Sequence, residues 1–198
     1  VVDAYLQRGG KLLVLIDPAQ DTGLEALLGR WGVSVGRDLV VDPARQLPGI
    51  SPANLFVTTY TQHPIVEHME TLMTLFPLSR SVHPTSPVPE GLTATSLAMT
   101  SPQGWGETQT EAAAFEFTEG ADTKGPVSIA LAIERPAAVE SPAETAEATT
   151  GANPPARLVV IGDSDFSANA QLPNVGNLDL ALGCFHWLVE QEQLIGIG

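Results

Sequence analysis

Gly162-Asp163-Ser164-Asp165 sets two carboxylates and a hydroxyl at the abrupt end of an apolar run, Leu158 to Ile161. One predicted helix later come the chain's only cysteine, Cys184, and one of its four histidines, His186. Three chemistries could use such a set: a serine nucleophile, an aspartyl nucleophile, or a hard-oxygen cation site. Each makes demands on the rest of the chain.

Gly-Asp-Ser is shared with esterases that attack through its serine, and such a serine needs a histidine base oriented by a carboxylate. In those enzymes the motif opens the domain and the Asp and His close it. Here 34 residues follow Ser164, and their one histidine, His186, falls in mid-helix. An aspartyl phosphatase would use Asp163 and Asp165 as its D-x-D pair, but Phe166 and Ser167 follow them. Phosphoryl transfer also needs cationic stabilisation, and the last lysine of the chain is Lys124. A cation held by Asp163, Asp165 and Asn169 would lack the glycine and terminal glutamate of a calcium loop. The structural reading needs less: Asp and Ser at a strand end hydrogen-bond their own backbone and shape a turn.

The remaining candidates are weaker. Cys184 lies inside a predicted helix rather than at an elbow, which suits core packing more than nucleophilic attack. His63 and His68 would stand ~140° apart on a helix, too far round to share a metal. Gly9-Gly10 precedes a strand instead of joining a strand to a helix, so it is not a phosphate loop. No cofactor or metal is expected.

These residues must be held by a chain of 198 residues, enough to bury roughly 70% of its unfolded surface. A net charge of −14 excludes the Lys/Arg footprint that nucleic acid requires, and it disfavours anionic lipid. A lone cysteine excludes an internal disulfide. No apolar run reaches the ~20 residues of a membrane span. The chain opens on Val1-Val2, and the expectation is a soluble piece of a larger protein whose targeting segments lie elsewhere.

Hydropathy patterning orders the elements. Residues 1–8 read as a helix closed by Gly9-Gly10, and Leu12 to Ile16 as a strand covered on both faces and stopped by Asp17-Pro18. Leu24, Leu27, Leu28 and Trp31 share a helical face. Strands are predicted over 37–43, 53–60, 92–101, 125–134 and 157–163. His63-Pro64 is expected to open an amphipathic helix through Ile65, Met69, Leu72, Met73 and Phe76. Residues 136–156 hold small, Pro, Glu, Thr and Ser side chains and read as a mobile loop within one domain. Asn177 is expected to cap a helix running to about Glu192, apolar on two sides. One side carries Leu178, Ala181, Leu182, Phe185, Leu188 and Val189, the other Leu180, Cys184 and Trp187. Strands alternating with helices predict an α/β fold with a mostly parallel sheet.

Several segments in order resemble one family. They are Arg8-Gly-Gly-Lys-Leu-Leu-Val-Leu-Ile-Asp-Pro18, His63-Pro64, Gly104-Trp-Gly-Glu-Thr108 and Asp122-Thr-Lys-Gly-Pro126. Arg157-Leu-Val-Val-Ile-Gly-Asp-Ser-Asp-Phe166 with Asn169, Asn177-x-Asp179 and Trp187-Leu188 complete the set. Together they resemble the extracytoplasmic domain of GldG-like ABC-transporter auxiliary proteins, associated with gliding motility and with ABC-type transport systems of undefined substrate. The resemblance implies a three-layer, flavodoxin-like fold similar to class I glutamine amidotransferases, here without the Gly-x-Cys-x-Gly elbow. It also implies membrane anchoring, a periplasmic location, and an ABC permease and ATPase as partners.

The resulting expectation is a non-enzymatic auxiliary or ligand- or partner-binding domain. Any small ligand or peptide would meet Asp17, Asp163, Ser164, Asp165 and Asn169, at the carboxyl ends of the strands. A hydrolase using Ser164 or Asp163, and a structural scaffold of an envelope complex, are the alternatives.

Overall fold

The apolar runs do become covered strands, but they do not run the same way. The structure is a computed structural model and describes residues 1–110, 114–137 and 155–191. The helices are α1 (Val2–Gln7), α2 (Glu25–Arg30) and α3 (Asn177–Leu188). The first six strands are β1 (Lys11–Leu15), β2 (Val33–Val35), β3 (Leu39–Val41), β4 (Asn54–Val57), β5 (Thr59–Tyr60) and β6 (Thr74–Pro77). The rest are β7 (Val82–Pro84), β8 (Thr93–Met99), β9 (Trp105–Glu107), β10 (Thr123–Lys124), β11 (Ser128–Arg135) and β12 (Ala156–Ile161).

The central sheet has the order β1-β12-β11-β8-β5. Only β1 and β12 pair in parallel; β12 with β11, β11 with β8 and β8 with β5 are all antiparallel. Small antiparallel sheets, β10-β9-β3, β2-β7 and β4-β6, surround it. The expected three-layer, mostly parallel flavodoxin-like or amidotransferase-like fold is therefore incorrect.

The physical reason lies in what a continuous apolar run reports. Alternate residues of β12 enter two different cores: Leu158 and Val160 on one face, Val159 and Ile161 on the other. Leu131 and Ile133 of β11 divide from Ala130 and Ala132 in the same way. Covering both faces makes a strand apolar throughout, whichever direction its neighbours run. Leu6 of α1, Leu28 of α2 and Trp31 just after it cover one face; Leu180, Cys184 and Trp187 of α3 cover the other, with β4 and β6.

The helix expected after His63-Pro64 does not form. Residues 63–72 instead make successive tight turns, with Val66 N–H donating to His63 O, Met69 to Val66 and Leu72 to Met69. The chain then enters β6, whose Phe76 pairs with Leu55 of β4. Ile65, Met69 and Phe76 are buried as the spacing required. Strand pairing, a long-range demand, overrides the local helical pattern. Strands β2, β7, β9 and β10 are too short to announce themselves in hydropathy.

Asn177 does not cap α3 by a side-chain bond; Gly176 holds the cap position. Its amide instead spans to β6, accepting Leu75 N–H (2.8 Å) and donating to Leu75 O (3.0 Å) and Phe166 O (3.1 Å). α3 stops at Leu188, short of Glu192, and its two apolar sides differ. Leu180, Cys184 and Trp187 are buried, while Leu178, Leu182, Phe185 and Val189 are exposed. Most of the loop expected over 136–156, residues 138–154, lies outside the described residues. Among the described residues no helix is long and apolar enough to cross a membrane.

Candidate functional site

The parallel pairing of β1 with β12 brings two expected residues together where both strands end. Asp17 Oδ1 accepts the Ser164 main-chain N–H at 2.7 Å, and Oδ2 accepts the Ser164 hydroxyl at 2.8 Å. Asp163 Oδ1 accepts Asp165 N–H at 2.7 Å, and Ser167 donates its hydroxyl to Ser164 O at 2.9 Å. Asp163 is fully buried, and among the described residues its Oδ2 has no partner. Burial, followed by the neighbouring Asp165 and Asp17 charges, pushes its carboxyl up to about 7. Asp165 and Asn169 are exposed on the turn beyond.

Beneath the turn lies Arg80, only 2% exposed. Its guanidinium donates to carbonyl oxygens: Asp17 (3.1 Å), Gln20 (2.9 Å) and Gly36 (2.7 Å from Nε). Its main-chain N–H donates to Gly162 O at 2.7 Å. The approach is so close that a Cβ on Gly162 would collide with the Arg80 carbonyl oxygen. Gly162 is thus required by packing between backbones.

The Asp17–Ser164 arrangement recurs twice. Asp38 accepts the N–H (2.9 Å) and hydroxyl (2.7 Å) of Ser81, and Asp42 those of Ser101 (2.7 and 2.6 Å). In all three pairs a carboxylate absorbs both donors of a serine remote in sequence, which satisfies buried polar groups. Ser164 therefore belongs to a repeated structural clamp, with its hydroxyl committed to a carboxylate rather than to a histidine.

The other sequence candidates scatter. Cys184 is buried in the core of α3, and burial pushes its thiol up to about 12, far from nucleophilic. His186 lies on α3 with its Nδ1 buried and without a partner among the described residues. Among the described residues no three His, Cys, Asp or Glu side chains gather to hold a metal. The Gly104-Trp-Gly-Glu segment is structural: a Cβ on Gly104 would press on Thr100, and one on Gly106 would meet the Asp38 carboxylate. Trp105 Nε1 donates to Glu107 at 3.2 Å.

The opposite end of the same sheet holds a cleft of about 350 Å³, lined by His63, Pro64, Thr93, Thr95, Ala132, Glu134, Arg157 and Trp187. Strand register builds it. Lys11, Arg157, Glu134 and Thr93 are successive cross-strand partners on β1, β12, β11 and β8, forming one polar row. Arg157 Nε donates to Glu134 Oε1 at 3.1 Å, and its NH1 donates to the Trp187 carbonyl at the end of α3. The guanidinium lies over the Trp187 ring, 4.7 Å from its centroid, and His63 meets that ring edge-on at 5.0 Å. Desolvation, then the Arg157 charge, lowers His63 to about 4, so the ring is neutral at physiological pH.

His63, expected at a helix start, instead joins Thr93, Thr95 and Glu134, which the sequence marks only as strand residues. A signal existed: Glu134 ends one covered apolar strand and Arg157 begins another, each a charge where a two-sided core strand would stay apolar.

A comparison with curated proteins gives no match. Among solved structures, one titled "mmIFT52 N-terminal domain" is similar with a TM-score of 0.60 at 16% identity, over 94% of this chain and 68% of that one. At that identity the likeness speaks to fold alone. The family model described as "ABC-type uncharacterized transport system" matches residues 1–184. With nearly the whole chain matched, from α1 through Cys184 of α3, the protein belongs to this family of ABC transport auxiliary components.

Proposed function

We propose that the chain is a non-enzymatic auxiliary domain that works by docking onto the permease of its ABC transport system, and through the permease is coupled to the ATPase. The observation carrying this reading is the commitment of its catalytic-looking residues. Ser164 gives both its donors to Asp17, and Arg80 gives its charge to carbonyl oxygens, so neither forms a nucleophile–base or phosphate-stabilising pair. An extracytoplasmic location on a membrane-anchored protein, and a role in gliding-type motility, are part of the same proposal. They rest on the family resemblance.

Affinity capture of the full-length protein from detergent-solubilised membranes tests the docking role. Co-purification of an integral permease and a nucleotide-binding subunit is the expected result. Their absence, together with ester or phosphate turnover abolished by Ser164→Ala, would replace docking with hydrolysis.

A further inference from the structure

We infer that the cleft at the amino-terminal end of β12 is a binding site for a small ligand carrying a protonated amine, with a hydrogen-bond acceptor a few bonds away. The face of the sheet that contains it is otherwise apolar: Leu13 and Leu15 of β1, Val159 and Ile161 of β12, Ala130 and Ala132 of β11. Only at this end does the face turn polar, through Thr93, Thr95, Glu134 and Arg157. A partly buried ion pair is weak support for a fold, because desolvation offsets its attraction. The cleft volume falls in the range of small-molecule sites.

The chemistry of the walls selects the ligand. The Glu134 side chain is 39% exposed, so its carboxylate is open to a cation, while Arg157, at 14%, anchors its Oε1 from behind. His63 Nδ1 accepts the Ile65 N–H at 3.2 Å, which leaves the neutral ring's proton on Nε2 as a donor. Thr93 and Thr95 add hydroxyls that donate or accept. A carboxylate and its paired guanidinium, beside neutral donors, fit an ammonium paired with a carbonyl, hydroxyl or carboxylate. The net charge of −14 favours the approach of cations to the protein as a whole and repels simple anions.

The site stands independently of the docking role, and either can fail without the other. Titration calorimetry of the full chain with L-alanyl-L-alanine, and with its N-acetyl derivative, tests it. Saturable binding of the free dipeptide is expected, weakened about tenfold or more by acetylation of the amine and by Glu134→Gln. Glutamine keeps the Oε1 acceptor for Arg157, and the acetylation arm needs no variant at all. Lack of saturation up to about 10 mM dipeptide, equal binding of the acetylated form, or unchanged binding by Glu134→Gln would each overturn the site.

Discussion

The two ends of the central sheet are built from similar residue types and do opposite work. At the carboxyl ends of β1 and β12, Asp17, Ser164 and Arg80 are locked into one another and the backbone. At the other end, Arg157 and Glu134 form a part-exposed pair on the wall of a cleft. Polar groups that saturate each other hold a fold; polar groups that face an opening are available to something else. The motif that draws the eye in the sequence sits at the first end, while the more ligand-like chemistry sits at the second.

Substitutions can break this contrast in order of size. Gly162→Ala drives a methyl into the Arg80 carbonyl oxygen and is expected to cost about 3–5 kcal/mol, or to prevent folding, as read by urea denaturation. Asp17→Ala strips the acceptor from both Ser164 donors and is expected to cost about 2–3 kcal/mol in the same assay. Glu134→Gln, at the cleft, is expected to cost under about 1 kcal/mol, because its pair is partly solvated. Equal losses from Asp17→Ala and Glu134→Gln would erase the distinction between the ends.

Titration sharpens it further. Asp163 has a folded value near 7, above its ordinary 3.8, so its contribution to stability is full below about pH 4 and is lost as pH rises through about 7. His63 has a folded value near 4, below its ordinary 6.5, so its contribution is full above about pH 6.5 and is lost as pH falls through about 4. Between pH 4 and 7 the two ends therefore oppose each other. Asp163→Asn should leave stability rising with pH across that window, and His63→Gln should leave it falling, as measured by denaturation midpoints. Parallel slopes in the two variants would contradict the assignment. The smallest effect belongs to the outer side of α3: Phe185→Ser, at a side chain 53% exposed, should change stability by under about 0.5 kcal/mol.

Much of this was legible in the residues, though not the topology. The positions of β1, β3, β8, β11 and β12 follow from apolar runs and their Asp-Pro, Gly and Pro stops. So does the placement of Asp17 and Ser164 at strand ends. Direction was illegible because Leu158 to Ile161 record two covered faces and nothing about β11 running antiparallel beside them. The helix expected from Ile65 to Phe76 failed for a related reason: the spacing marked Ile65, Met69 and Phe76 as buried but also Met73, which is exposed, and pairing of Phe76 with Leu55 decided the backbone. The cleft was hidden because cross-strand neighbours such as Arg157 and Glu134 become adjacent only through register.

The position of β1 has a consequence for how the chain is made. Among the described residues β1 stands at the sheet edge, with β12 as its one strand partner. During synthesis, the first strand must wait for roughly 145 further residues, on the order of 7–30 s at typical elongation rates, before its partner leaves the ribosome. Until then Leu12 to Ile16 are an open apolar strand edge, the kind of segment that chaperones hold and aggregates recruit. Closure of this sheet edge is therefore gated by β12, and truncation before Ile161 should release a chain whose β1 cannot pair.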